Sequence, residues 1–91
     1  MNNIKLFYFK DVWIVSEFEE VSEFDEEIIT EAGPDCLLKY PYTITENGLE
    51  EWPQYSDERE ILVRSSDISV LVDPKNNILV SYLELVDKET Q

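Results

Sequence analysis

The sequence predicts a mainly β domain, and two stretches of the chain carry this prediction. In the first, Glu60 to Asp73, two apolar runs rich in β-branched residues, Ile61 to Val63 and Ile68 to Val72, flank a four-residue polar break. Such a composition is typical of two buried strands joined by a tight turn. The second stretch, residues 4–18, is dense in aromatic and β-branched side chains. Together they favour a small β fold over a helical one.

The length of the chain bounds the architecture. Its 91 residues are predicted to form one domain, 1–91, with a core over 5–86 and a frayed tail over 87–91. A domain of this size buries well over half of its unfolded surface but has little stability to spare. We therefore expect a single core.

The residue types that usually carry catalysis or bind metals are scarce. Cys36 is the only cysteine, so no intrachain disulfide can form, and the chain has no histidine. Histidine is the usual general base and the commonest metal ligand, and nothing in the spacing of the carboxylates selects a catalytic pair. We expect a protein that is not an enzyme and that has no cofactor and no metal site.

The charge of the chain sets the expectations about partners. With 21 acidic and 7 basic residues, the formal net charge is −14, and its field repels phosphate polymers at long range. Binding of RNA or DNA normally depends on Lys and Arg side chains that displace counterions. The composition therefore argues against a nucleic-acid partner unless a locally basic or aromatic site lies on one face.

The hydropathy of the chain sets the expected location. The first ten residues are too short and too polar for a signal peptide, and no apolar run approaches the roughly 20 residues of a membrane helix. The expected location is the cytoplasm, without a membrane partner.

Residues 4–18 form the first β segment in chain order. Alternation along its second half places Ile14 and Phe18 on one face and Trp13 and Val15 on the other. Both faces are therefore apolar near Ile14. In a chain too small for two covering layers, this pattern indicates a bent strand that closes a small barrel or a strand that meets another subunit.

An acidic run follows the first β segment. Residues 17–31 carry eight acidic side chains and no basic one. Ser22 is placed to cap a short helix near 22–33, with Asp25 three residues later and Gly33-Pro34 as its end. The run has no Asp-x-Asp-x-Asp-Gly calcium loop, so a solvated acidic helix or loop is favoured over a cation site.

Residues 36–44 form the next predicted strand, and Pro41 lies inside it. Proline donates no ladder hydrogen bond, so the strand must be broken, bulged or at an edge near this point. Lys39, Tyr40 and Tyr42 are therefore expected close to a loop.

A hairpin turn and an irregular region are predicted next. Asn47-Gly48 is the strongest short hairpin signal in the chain. Residues 49–55 are either a third short strand or an irregular aromatic segment, and residues 56–59 are polar enough to form an exposed connection. We expect Trp13 and Trp52 to be core or subunit-interface anchors.

The C-terminal segment favours a helix. Asp73-Pro74 has the pattern of an N-cap and first helical residue, and Ile78, Tyr82 and Leu85 then share one side. A strand over Ile78 to Leu83 is the alternative. The residues expected to be largely buried in the whole domain are Val12, Ile14, Leu37, Ile61, Val63, Ile68 and Val70.

One string of residues resembles a known family. Ile61 to Leu71 is similar to the second signature of Sm and Sm-like proteins, in which apolar residues lead into Arg-Gly-x-Asn-Ile and a short apolar strand. Arg64 falls on the arginine, Ser65 on the glycine, Asp67 on the asparagine and Ile68 on the isoleucine. Serine can replace that glycine only where the backbone does not need a positive φ.

The wider pattern resembles the small Sm-like proteins of cyanophages over most of residues 5–86. The shared features include Pro34-Asp35-Cys36-Leu37, Trp52-Pro53 and Val72-Asp73-Pro74. The resemblance implies an SH3-like barrel of five bent antiparallel strands. It also implies a homo-oligomeric ring joined edge to edge, with a pentamer favoured over a hexamer or heptamer, and residence in a host cytoplasm if the chain is phage-encoded.

The resemblance further implies binding of single-stranded, often uridine-rich RNA near the pore. The family's positions fall on Lys39, Tyr40, Tyr42, Arg64, Ser65 and Ser66 of this chain. Tyrosine rings can stack bases, and Arg64 repeated around a ring would collect cations at one pore. The structural alternative is that Arg64 pairs with Asp67 or Glu60 to hold its turn and that the two tyrosines pack across the strand.

A second function remains open on the same fold. The excess of Glu and Asp favours an acidic protein-interaction module, or a nucleic-acid mimic, that binds a basic host protein. The Arg64 loop favours RNA.

Overall fold

The computed structural model describes residues 3–20 and 35–91, so the acidic helix or loop predicted near 22–33 lies outside the described residues. The described part is mainly β, with one helix at its C-terminal end. Its elements are β1 (Ile4–Phe9), β2 (Val12–Glu20), β3 (Cys36–Thr45), β4 (Gly48–Glu51), β5 (Glu60–Val63), a 3₁₀ turn (Ser65–Asp67), β6 (Ile68–Val72) and α1 (Asn76–Glu89).

The strands form one antiparallel sheet in the order β4-β3-β2-β1-β6, with β5 also paired to β3. Within the described residues, β5 pairs only with β3 and β6 only with β1, so the sheet has six strands and is not closed. The resemblance implied a closed barrel of five strands. The count differs because the first predicted β segment, residues 4–18, contains two strands, β1 and β2, joined by a turn at Lys10 and Asp11.

Two short turns connect the hairpins. The Asn47-Gly48 signal is confirmed, since Glu46 and Asn47 join β3 to β4 and Gly48 begins β4 with a φ of 120°. Sequence reasoning missed the β1–β2 turn, where Lys10 and Asp11 take φ values of 45° and 76°. Two positive φ angles suit the twist of a tight hairpin, but Lys-Asp is not one of the usual signals for them.

β3 contains the bulge that Pro41 predicted. Across from β2, Val15 pairs with Tyr42 and Glu17 pairs with Lys39, so two residues of β3 stand opposite one residue of β2. Tyr40 takes up the irregularity with a φ of 55°. The bulge lets β3 continue through the proline and bends the sheet at its centre.

The two faces of the sheet carry separate hydrophobic clusters. One face buries Phe7, Phe9, Ile14, Phe18, Cys36, Leu38 and Val63. The other buries Val15 and Tyr42 against Tyr82 of α1, with further contacts from Ile78 and Leu85. The helix therefore explains why the sequence is apolar on both faces of β2. It supplies the second covering layer that the chain length had seemed to exclude.

The burial expected from the sequence is confirmed in part. Ile14 and Val63 are buried. Four others, Val12, Leu37, Ile61 and Ile68, are half-buried. The expectation for Val70 is wrong, since 40% of this residue is exposed, because β6 is an edge strand without a neighbour on its outer side. Trp52 packs against the core, whereas Trp13 is more exposed.

Helix is confirmed over strand for the C-terminal segment, with different ends. α1 begins after Lys75 and not at Asp73-Pro74, and the Asp73 carboxylate pairs with Lys5 at 2.8 Å. It continues to Glu89, so three of the five residues predicted as a frayed tail are helical. No helix in the described ranges is long and apolar enough to cross a membrane.

Candidate functional site

The bulge in β3 is closed by one side chain of α1. The Tyr82 hydroxyl lies between the two strands, where it accepts a hydrogen bond from the Glu17 N–H and donates one to the Lys39 carbonyl, both at 3.0 Å. The buried Ser16 hydroxyl lies 3.0 Å from the same carbonyl. Burial raises the pKa of Tyr82 to about 12, so the phenol stays protonated at neutral pH. The irregular centre of the sheet is thus fully hydrogen-bonded.

Beside the bulge, Arg59 clamps the end of α1. Its Nε and Nη2 donate to the two carboxylate oxygens of Glu89 at 2.9 and 3.2 Å, and the Tyr42 hydroxyl donates to Glu89 Oε2 as well. Only 18% of each of the Arg59 and Glu89 side chains is exposed. Paired donors from one guanidinium form the strong, orientation-specific kind of ion pair.

The rest of the sheet holds the Arg59 guanidinium in place. Nη2 donates to the Pro41 carbonyl at 3.2 Å, and Nη1 lies 3.4 Å from the Trp52 carbonyl. The guanidinium carbon is 5.9 Å from the centre of the Tyr40 ring and 5.4 Å from that of Tyr42, within the range of cation–π attraction. We call Arg59, Tyr40, Tyr42 and Glu89 the Arg59 cluster.

The cluster shifts the pKa values of its own members. Burial by itself would raise the pKa of Glu89, but hydrogen bonds from Arg59 and Tyr42 hold that pKa below its ordinary value. Burial would lower the pKa of Arg59, and Glu89 raises it overall. Burial, followed by the bond to Glu89, raises the pKa of Tyr42 well above its usual range. At neutral pH, a full ion pair and a neutral phenol are therefore present.

Three of the predicted RNA-binding residues lie at this place, and their side chains are already in use. Tyr42 is buried, and its ring packs edge to face on Tyr82. Tyr40 is half-buried beneath Arg59, and Lys39 Nζ lies 3.4 Å from a carboxylate oxygen of Glu19. Tyr42 thus packs against α1, and Tyr40 packs against Arg59.

The other three predicted residues lie at the far end of β5. Ser65 begins the 3₁₀ turn, and Asp35 holds it by accepting hydrogen bonds from the Ser65 N–H at 2.7 Å and the Ser65 hydroxyl at 2.8 Å. These two donors keep the pKa of Asp35 below its usual value. Ser65 has no positive φ, so serine is acceptable at the position where Sm-like proteins have glycine.

Arg64 and Ser66 are exposed on the same turn. In the part of the chain that the structure describes, no carboxylate lies within 4.0 Å of the Arg64 guanidinium, and Asp67 pairs instead with Lys10 at 3.8 Å. The alternative in which Arg64 is clamped by Asp67 or Glu60 is therefore wrong. Of the six predicted residues, Arg64 and Ser66 are therefore exposed and available, whereas the other four have partners within the chain: Lys39, Tyr40, Tyr42 and Ser65.

Sequence reasoning missed Arg59, Glu89, Tyr82 and Asp35. Arg59 ends a polar run and Glu89 lies in the segment expected to fray, so neither stood out from its neighbours. Helical periodicity placed Tyr82 on the apolar side of α1, but it could not show that the hydroxyl would reach the bulge.

Cys36 is a free thiol buried in β3. Burial raises the pKa of the Cys36 thiol to about 12, which leaves it protonated and unreactive at neutral pH. Within residues 3–20 and 35–91, no three His, Cys, Asp or Glu side chains are grouped to hold a metal ion.

Comparison with known proteins gives a family without an assigned activity. No curated protein matches the chain. The model of a family of unknown function, DUF6561, matches residues 2–87, which is nearly the whole sequence. The chain therefore belongs to the DUF6561 family.

Proposed function

We propose that this protein assembles into an Sm-like homo-oligomeric ring through its open strand edges, and that the ring binds single-stranded RNA at the Arg64 turn. The observation that carries the proposal is Leu71. It pairs across the sheet with Phe7, which is fully buried, yet 47% of Leu71 remains exposed. Leu71 thus lies beside a core residue but on an edge strand, where a neighbouring subunit would bury it.

The two free edges are suited to each other. β5 and β6 are four and five residues long, each has one side without a partner among the described strands, and Leu62 on β5 is also exposed. A ladder between β5 of one copy and β6 of the next would continue the sheet across the joint. Repeated around a closed ring, it would leave no edge unpaired.

The position of Arg64 connects assembly with RNA binding. This residue follows the last residue of β5 and precedes the turn into β6, so it lies beside both proposed joints. A ring would bring one Arg64 from each copy to the same side. Several planar cations at one mouth can pair with phosphates although each subunit carries −14.

Assembly is tested with Leu71→Glu and the matched control Val80→Glu. Val80 is equally exposed, at 45%, but it lies on α1 and not on a strand edge. Light scattering at micromolar concentration should show an oligomer, a pentamer by preference, for the wild type and for Val80→Glu, and a monomer for Leu71→Glu. A monomeric wild type at both low and high salt would overturn the ring, because salt screens the repulsion between subunits.

RNA binding is tested with Arg64→Ala and the control Lys75→Ala, which removes the same charge from another exposed residue. Loss of a charge-assisted contact costs about 1.5–3 kcal/mol, so Arg64→Ala should weaken binding of a uridine-rich oligonucleotide about tenfold or more. The ring should persist. Equal losses in both variants would reduce the effect to net charge and overturn the role of Arg64.

An acidic interaction module is the second candidate, and the Arg59 cluster favours it. The side chains of Lys39, Tyr40 and Tyr42 are engaged within the subunit, which removes half of the predicted RNA contacts. In this case a basic protein would bind the ring, RNA would not, and Arg64→Ala would leave binding of the basic protein unchanged.

A further inference from the structure

We propose that Arg59, Tyr40 and Tyr42 form a second anion site, suited to a nucleotide phosphate, and that Glu89 fills this site as an internal competitor. The site lies under α1 and not at the strand edges. It requires neither the ring nor Arg64, so it goes beyond the proposed function.

The contacts of Glu89 are those that a bound oxyanion would make. Three donors converge on its carboxylate: two nitrogens of one guanidinium and the Tyr42 hydroxyl. A guanidinium fork fits a phosphate as well as a carboxylate. The carboxylate thus marks where two phosphate oxygens would lie.

Arg59 would remain positioned after Glu89 had left. Its guanidinium keeps the Pro41 carbonyl at 3.2 Å and the flanking rings of Tyr40 and Tyr42. Its own backbone carbonyl accepts the Tyr40 N–H at 2.8 Å, which fixes the residue on the sheet. A preorganised cation can hold a phosphate, and the half-buried ring of Tyr40 beside it leaves some surface for a base, since Tyr42 is buried. A phosphate with a base attached is a nucleotide.

The segment that closes the site is the last turn of α1, which is fastened to the sheet through Glu89 itself. Asp87 and Glu89 place negative charge at the helix C-terminus, where the helix dipole disfavours it, and Lys88 is the one basic residue of the last turn. The apolar contacts of the helix end at Leu85 and Val86. Opening the last turn would therefore free the site while Tyr82 keeps the rest of α1 on the sheet.

The test is an NMR titration with two probes, uridine 5′-monophosphate and inorganic phosphate. It follows the backbone N–H of Tyr40, which donates to the carbonyl of residue 59 and is present in every variant. Glu89→Gln keeps the shape of the internal ligand but removes its charge, and it should tighten uridine monophosphate binding about tenfold. Asp87→Asn removes the same charge two residues away without a contact to Arg59, and it should change affinity less than about twofold. Glu89→Gln combined with Arg59→Lys, which keeps the charge but loses the fork, should lose the gain.

Each result decides the proposal. Equal gains in Glu89→Gln and Asp87→Asn would show a long-range charge effect and overturn the site. A lower melting temperature in Glu89→Gln without any gain in binding would show that Arg59 and Glu89 only fasten the helix. If inorganic phosphate bound as tightly as the nucleotide, the rings would have no role and the assignment to nucleotides would fail. A gain that survives in Glu89→Gln with Arg64→Ala would separate this site from the ring.

Discussion

The centre of β3 and the open end of the sheet at β5 and β6 differ in how far their side chains and backbone groups are buried and paired. At the centre, aromatic rings are buried under α1, and the carbonyl of Lys39, the N–H of Glu17 and the guanidinium of Arg59 all have partners. At the open end, Leu62, Leu71 and other apolar side chains are exposed on strands that are each paired on one side only. The first region is complete within one chain, whereas the second leaves apolar side chains and strand edges uncovered.

The sequence did not settle either region. The resemblance assigned Tyr40 and Tyr42 to RNA, with packing across the strand as the alternative, and the strand Ile68 to Val72 was expected to be buried. Residue type indicates that a side chain favours burial, but it does not show which element supplies the cover. Here α1 packs on β3 and buries Tyr42. No strand of the described residues pairs with the outer side of β6, because the sheet is open.

The largest expected effect comes from removing the cover of β3. Tyr82→Ala should lower the free energy of unfolding by about 3–5 kcal/mol, since it deletes a buried aromatic ring. Tyr82→Phe should cost about 1–3 kcal/mol, because it leaves the Glu17 N–H without its partner. Urea unfolding measures both. The neighbouring Leu83→Ala, at an exposed residue, should change stability far less, and a similar loss there would contradict the assignment of Tyr82.

The next effect concerns the Arg59 cluster. Arg59→Ala and Glu89→Gln should each destabilise the protein, and a double-mutant cycle should give a coupling energy of about 1.5–3 kcal/mol, the range of hydrogen bonds to charged groups. The same cycle on Lys10 and Asp67, a longer and more exposed pair at 3.8 Å, should give a coupling below about 1 kcal/mol. Equal coupling energies for the two pairs would contradict the stronger ion pair that we assign to Arg59 and Glu89.

Acid should weaken the contact between α1 and the sheet. The folded pKa of Glu89 is lowered, so its contribution to stability is present above the unfolded pKa near 4.5 and is lost as pH falls through the folded value. The groups that face Glu89 are Arg59 and Tyr42, with the Glu51 carboxylate close to both of them. The stabilities of the wild type and of Glu89→Gln should therefore differ most above pH 4.5 and converge as the pH falls below it. Curves that stay parallel would show that Glu89 is not the titrating group.

Local signals in the sequence predicted the local structure well. Asn47-Gly48 gave the hairpin, Pro41 gave the bulge, and helical spacing gave α1. Each of these features depends on the backbone preferences of a few adjacent residues. Lys10-Asp11 is the exception, because its turn is set by the pairing of β1 with β2 and not by a favoured residue pair.

Contacts between distant residues were not predictable in the same way. Arg59 reaches Glu89 across thirty residues, and Asp35 reaches Ser65 across another thirty. Nothing in either local sequence selects these partners, since 21 acidic side chains compete for 7 basic ones. The sequence therefore placed Lys39, Tyr40 and Tyr42 on one strand without showing which groups would contact them.

The smallest expected effect is that of Arg64 on stability. Arg64→Ala should change the free energy of unfolding by no more than about 0.5 kcal/mol, because surface substitutions without partners fall in this range. Ser65→Ala is the matched comparison on the same turn. It should lower the free energy of unfolding more, since it removes the hydroxyl that donates a hydrogen bond to Asp35 at 2.8 Å. Chemical unfolding of a monomeric Leu71→Glu background measures both without interference from assembly.

A double-mutant cycle on Arg64 and Asp67 completes the comparison of the two regions. The Asp67 carboxylate faces Lys10, and the bond between Arg64 and Asp67 joins their backbones, from the Asp67 N–H to the Arg64 carbonyl at 3.1 Å. Side-chain truncations leave that bond intact, so the cycle should give no coupling. A coupling above about 1 kcal/mol would mean that the guanidinium fastens its own turn. Arg64 would then be occupied within the subunit, as Arg59 is, and no free cation would remain beside the open edges for RNA.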